Sequence, residues 1–194
     1  MSIDGYSGYD GDHPALELIN SERWYGRGAG SEDVLHEPNW LRGYVERWGF
    51  DVVRPPTRRD LARLVALRSV LRSAYTAVAS GAAVPARDLA AINAALGEVP
   101  LRRRIEAAGD GAYAVALEAS VRDWRWVAAE VAASFAELVA TGEHERMKLC
   151  ENRECQCAFY DASKNRSRRW CYPEVCGNVN KVRQFRARRR AQSG

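Results

Sequence analysis

The sequence predicts a mainly α-helical α+β protein: a helical body with one small β-hairpin, followed by a short cysteine-rich module. Three observations carry that expectation. Apolar residues recur at intervals of three and four along much of residues 1–143, Gly109-Asp110-Gly111 separates two short strand-like runs, and all five cysteines fall between positions 150 and 176. Charge divides the chain at the same place. Residues 1–143 hold 16 Lys/Arg against 20 Asp/Glu, a net of −4, whereas residues 144–194 hold 13 against 5, a net of +8. At 194 residues, 46% hydrophobic and 28% charged, the chain has room for one domain plus a small addition.

In chain order, residues 1–12 are rich in Gly and Asp without periodicity and read as a lead-in to which no function attaches. Leu16-Glu17-Leu18-Ile19 reads as a short strand, closed by Asn20-Ser21 and by the turn-rich stretch from Gly26 to Gly30. From Pro38 the pattern is helical, with Leu41, Tyr44, Val45 and Trp48 on one face and Gly49 at the C-terminal cap. Thr57 can cap a long core helix whose stripe is Leu61, Leu64, Leu67, Leu71, Tyr75 and Val78, ending at Gly81. A shorter helix places Leu89, Ile92 and Leu96 together and ends at Gly97. Residues 101–106 and 113–118 flank the Gly-Asp-Gly turn as a hairpin. The last body helix carries Val121, Trp124, Ala128, Val131, Phe135 and Leu138 and stops at Gly142. Trp126 falls opposite that stripe; a second packing face is preferred over a partner contact, since one aromatic does not define an interface.

No window approaches the roughly 18 apolar residues that a membrane-spanning helix needs, and Met1-Ser2-Ile3-Asp4 does not open a signal peptide. Neither membrane insertion nor classical secretion is expected, and a cytoplasmic, nucleoid-associated location is. No repeat or low-complexity segment appears.

Cys150 and Cys155 enclose four residues, Cys171 and Cys176 enclose four more, and fifteen lie between the pairs. Two close pairs separated by a longer return suit tetrahedral zinc, and the metal supplies the folding free energy that so polar a segment cannot obtain from burial. Disulfides are disfavoured in a chain with no visible export signal, and unrelated thiols would not gather in one segment. Either Cys155 or Cys157 can be the second ligand; the symmetric four-residue spacing favours Cys155. Four thiolates saturate one zinc ion, so its expected role is structural. No enzyme emerges: a metalloprotease helix would need a second histidine at Lys148, a deaminase would need an acid at Arg146, and His13, His36 and His144 are dispersed, with His144 a solvent-facing linker residue.

The basic end has an internal order. Lys164, Arg166, Arg168 and Arg169 lie between the cysteine pairs, and Lys181, Arg183, Arg186 and Arg190 follow the last cysteine. On a helix starting near Asn178, Arg183, Arg186 and Arg190 share one face, while Val182 and Phe185 share another that can pack on the zinc module. With Tyr160, Trp170 and Tyr172 nearby, these eight cations form a candidate nucleic-acid surface for DNA, with RNA as the runner-up. A solvated basic tail is the plain alternative.

These residues resemble the CGNR zinc finger. The matching run is Cys150-x4-Cys155, Phe159-x-Asp161-x-Ser163, Asn165, Arg168-Arg169-Trp170-Cys171 and Cys176-Gly177-Asn178, then Lys181 and an arginine cluster. In that family the finger follows an ABATE domain. The body resembles one at Ala15-Leu16-Glu17-Leu18-Ile19-Asn20-Ser21 and at the helix leading into Met147-Lys148-Leu149-Cys150. After the compositionally flexible start (1–12), the resemblance implies an ABATE-like body (13–143) and a treble-clef-like finger with a basic helix (144–194). It also implies one structural Zn2+ on Cys150, Cys155, Cys171 and Cys176 with Cys157 extra, DNA binding, and a role in stress-induced transcription. One departure stands out, because Val179 occupies the position of the arginine that ends the family name, and that arginine's role must be lost or taken over by Arg183 or another neighbour.

A zinc-dependent DNA-binding regulator is therefore the expected function, with an adapter for RNA or for an acidic protein as the alternative. Asn20, Trp24 and Trp124 are a candidate effector pocket in the body, although they suit ordinary core or edge positions equally well. A homodimer would be natural for a regulator, yet no heptad seam supports one.

Overall fold

The computed structural model describes residues 13–24 and 31–192. The expected lead-in at 1–12 and the whole of the turn at 26–30 lie outside the described residues. The chain enters through α1 (Pro14–Ile19), a single buried helical turn and a half, and not the expected strand. A short apolar run fits a buried strand or a buried helix equally well, and Pro14 settles the choice by fixing φ at the first helical position, where its missing N–H costs nothing. Strand β1 (Glu22–Trp24) then pairs antiparallel with β2 (Ser31–Asp33), a ribbon that the sequence pattern did not announce. Buried Arg68 closes its base by bidentate bonds of 2.6 and 2.7 Å to Asp33 and one of 2.9 Å to Ser21 Oγ.

Four helices make the body: α2 (Pro38–Arg47), α3 (Arg58–Ala79), α4 (Ala86–Leu96) and α5 (Trp124–Ala140). Their ends follow sequence chemistry. Thr57 and Asp60 form a reciprocal capping box on α3, and Asp123 accepts from the N–H groups of Arg125 and Trp126 at the start of α5. Beyond the C-termini, Gly49, Gly81 and Gly142 take φ of 64°, 75° and 73°, a region that only glycine enters without strain. Leu64, Leu71 and Tyr75 of α3 meet Val127, Val131 and Phe135 of α5 in a shared core that also takes in Ile92 of α4. Two expected stripe residues fall elsewhere: Leu89 is exposed because the polar Asp88 is buried in its place, and Val121 is exposed ahead of α5. Trp126 packs edge-on against Phe50, with centroids 5.7 Å apart, and donates to Glu130 at 2.9 Å, so α5 is buried on two sides.

Strands β3 (Leu101–Ala107) and β4 (Tyr113–Ala119) form the expected hairpin, turned by Gly109, Asp110 and Gly111, all at positive φ. It stands out from the body and is held at its base, where Ala119 packs on the core and Ser120 N donates to Pro100 O. After a short turn at 144–146, β5 (Met147–Leu149) pairs with β6 (Ala158–Tyr160), and the chain ends in α6 (Asn178–Gln192). His144 is exposed, as expected. No described helix is long and apolar enough to cross a membrane.

The β5–β6 hairpin belongs to the body's core as much as to the cysteine module. Met147 and Ala158 are buried among the body's apolar residues. Tyr75 Oη donates to Phe159 O at 2.6 Å and accepts from Lys148 N at 3.0 Å. Asn20 donates to Ala158 O at 2.7 Å and accepts from Ala158 N at 2.9 Å, so its side-chain amide satisfies the open edge of β6 as a neighbouring strand would.

Candidate metal centre and cationic helix

The first cysteine pair sits on the β5–β6 turn. Cys150 follows β5 directly, and its N–H donates to Cys157 O at 2.9 Å. Within the turn the carbonyl of buried Asn152 accepts from Cys155 N at 2.8 Å and Gln156 N at 3.3 Å. The second pair brackets a wide turn that runs straight into α6: Cys176 N and Gly177 N both donate to Tyr172 O, at 2.8 and 3.4 Å. Glycine after Cys176 lets Trp170 pack closely, because a Cβ there would lie 3.3 Å from Cε3 of the indole and push it back by a few tenths of an ångström. Buried Phe159 underlies Cys150, Cys171 and Cys176, with Trp170 and Tyr172 partly covering them. This is the treble-clef layout, with two ligands from a hairpin turn and two from the root of a helix.

Sγ atoms of Cys150, Cys155, Cys171 and Cys176 all lie within 4.8 Å of one another, with Cys155–Cys171 at 3.5 Å and Cys171–Cys176 at 3.8 Å. Those separations are too long for disulfides, and all the cysteines are free thiols. A tetrahedral zinc with Zn–S near 2.3 Å places its sulfurs about 3.8 Å apart, so the quartet fits the ion. The spacing choice between Cys155 and Cys157 resolves to Cys155; Cys157 stays outside the quartet and supplies its carbonyl to close the hairpin. Hydrogen bonds from Cys150, Cys155 and Cys171 converge on Cys176 and lower its thiol pKa, while sulfur contacts led by that from Cys150 push the Cys171 thiol up. Four thiols this close hold a stable set of negative charges only around a cation.

A loop at 161–169 spans the two pairs, and a buried ionic hub shapes it. Asp161 is fully buried. Its carboxylate accepts from Lys148 Nζ at 2.6 Å, Ser163 N at 3.0 Å and Arg168 N at 2.9 Å. Burial raises the Asp161 carboxyl, but these bonds outweigh it and hold the pKa at about 2. Lys148 also donates to the carbonyls of Arg166 and Arg168, and Arg146 to those of Asp161 and Ser163.

The eight cations singled out from the sequence divide into two groups. In the first, Arg166 binds Glu143 and Glu145, Arg169 binds Glu151, and Arg168 donates to the carbonyls of Trp170 and Cys171 with its guanidinium 5.2 Å from the Phe159 ring centroid. Arg183 binds Glu154 and reaches Asn152 Oδ1 at 3.2 Å, which ties α6 back to the first cysteine turn. Lys164, Lys181, Arg186 and Arg190 make up the second group and are exposed, as is Arg188. Val182 and Phe185 do not pack on the module as expected. They are 49% and 61% exposed, because Arg183 and the Cys176 turn, and not an apolar face, anchor the helix.

Two residues of the candidate effector pocket, Asn20 and Trp124, are each committed to a backbone partner. Asn20 is occupied by Ala158, Trp124 is buried and donates to Arg54 O at 2.9 Å, and Trp24 lies on β1. Two clefts, one beside Lys148 and Arg169 and one beside Asp60 and Arg125, include neither Asn20 nor Trp124. Sequence reading missed Tyr75 and Lys148 as organisers of the site. Tyr75 lies on an apolar helical stripe, where nothing distinguishes a core tyrosine from one whose hydroxyl bridges two backbones.

No curated protein matches the chain. Residues 146–189 match the model of the CGNR zinc finger, and that match covers all four sulfur ligands and most of α6. Residues 12–142 match the model of ABATE, described as "Putative stress-induced transcription regulator". Taken with the quartet of thiols at zinc spacing, these matches show that the chain belongs to the ABATE family and carries a CGNR zinc finger at its C-terminal end.

Proposed function

We propose that the protein is a zinc-dependent DNA-binding transcription regulator that holds DNA phosphates with α6, the body serving as an assembly or sensing module in the cytoplasm. One observation carries the reading: Lys181, Arg186, Arg188 and Arg190 are exposed along a single helix whose first turn is fixed by a metal ligand. Arg166, Arg169 and Arg183 are matched to Glu143, Glu145, Glu151 and Glu154, so much of the remaining positive charge lies on α6. Counted at 100° per residue, Val179 shares a face with Arg183, Arg186 and Arg190. The loss of an arginine at 179 is therefore offset by Arg186 and Arg190, two and three turns further along. The metal acts by shape alone, since four thiolates leave no position for water.

Anisotropy titrations of a labelled genomic duplex against the full-length, zinc-loaded chain test this at several salt concentrations. Each phosphate neutralised contributes a slope of about −0.9 in log K against log salt, so R186A/R190A lowers affinity and flattens the slope by about 2. Binding indifferent to salt, or unchanged in that variant, contradicts the reading. Tighter binding to single-stranded RNA than to duplex DNA replaces it with the RNA alternative.

A further inference from the structure

The β3–β4 hairpin exposes an apolar face. Its register pairs Leu101 with Ala119, Arg103 with Leu117, Ile105 with Val115 and Ala107 with Tyr113, and all eight side chains lie on one side of the ribbon. Leu101, Ile105, Tyr113, Val115 and Leu117 are each 50–73% exposed. Together they present on the order of 600 Å2 of surface, at the upper end for a patch on a monomer. A lone two-stranded ribbon is marginal in water, and a sheet of three or more strands with a hydrophobic face is what stands on its own.

Its two edges differ. Ser120 N donates to Pro100 O and Ala108 N to Ala112 O, so the inward hydrogen bonds fall on even-numbered residues. The N–H and C=O groups of Tyr113, Val115 and Leu117 consequently point to the open edge of β4. On β3, Arg102, Arg103 and Arg104 make a cationic edge that would oppose itself in a symmetric pairing, which is a common guard against association. Strand β4 has no such guard: Tyr113-Ala-Val-Ala-Leu-Glu-Ala119 holds one charge, Glu118, no proline and no bulge.

We propose that a second copy of this chain extends the arm, with β4 pairing antiparallel to β4 of its partner about a two-fold axis near Val115–Ala116, so that two marginal ribbons become one four-stranded sheet. An axis at either residue keeps odd-numbered residues opposite odd-numbered ones, so both apolar faces lie on the same side of a four-stranded sheet. Glu118 then faces the small Ala114 or Ala112, and no like charges meet along the seam. Arg103, the polar residue on the apolar face, stays on the outer strand.

Sedimentation equilibrium on the full-length, zinc-loaded protein tests this directly. Expected is a mass twice the 21.7 kDa of one chain at micromolar concentration. V115K/L117K places cations on exposed positions that face each other across the axis, and should weaken self-association by at least about 100-fold with helix content and zinc content unchanged. L89K, an exposed substitution on α4, serves as the control and should leave the mass at two chains. A monomeric wild type, or a dimer that survives V115K/L117K, overturns the proposal. DNA binding plays no part in either readout, so failure here leaves the α6 reading standing.

Discussion

Single side chains fasten the finger to the body. Tyr75 and Asn20 each satisfy a backbone donor and a backbone acceptor in the β5–β6 hairpin, and their removal leaves buried peptide groups unpaired. Tyr75→Phe should therefore cost about 1–3 kcal/mol in urea unfolding, well above the few tenths typical of an exposed Tyr→Phe change. Asp60 gives a pH signature away from the metal. Burial raises its carboxyl, but bonds from Arg54 and Thr57 outweigh this and hold it at about 2, against about 3.9 in the unfolded chain. Because the folded pKa is the lower one, the stabilisation is complete above about pH 4 and is lost as the pH falls toward 2. D60N should accordingly be less stable than wild type at pH 7, by about 2 kcal/mol, and the two should converge near pH 2 in urea titrations.

Elements with a chemical start and stop were legible in the sequence. Thr57 with Asp60, the run to Val78 and then Gly81 give α3 from cap to cap, and Gly109-Asp110-Gly111 gives the β3–β4 turn. Less legible were segments too short for a period to show. α1 reads as a strand because six residues hold under two helical turns, and β1–β2 are three residues each. The four sulfur ligands follow from spacing, but the anchoring of α6 does not: Val182 and Phe185 mimic a packing stripe, whereas Arg183 makes the contact through Glu154 and Asn152. R183M should loosen α6, seen as faster amide exchange over 178–192, while leaving zinc stoichiometry at one. V182K should leave that exchange unchanged, because its side chain is exposed.

The whole molecule joins an acidic helical body to a basic finger through a hairpin that both share. Charge and cysteine segregation showed two parts in the sequence, and the two stay joined in the fold, since Met147 and Ala158 of the finger segment lie in the body's core. Part of the finger is thereby held without metal. Zinc is needed for what lies beyond that hairpin, where the loop at 161–169, the Cys176 turn and α6 have little apolar burial of their own. Hydrogen–deuterium exchange on the full-length protein before and after chelation measures this most directly. Loss of protection over residues 161–192, with α3, α5 and the β5–β6 hairpin still protected, is the expected result. Unchanged protection over 161–192 in a verified metal-free sample would contradict the assignment of zinc as the organiser of the cationic end.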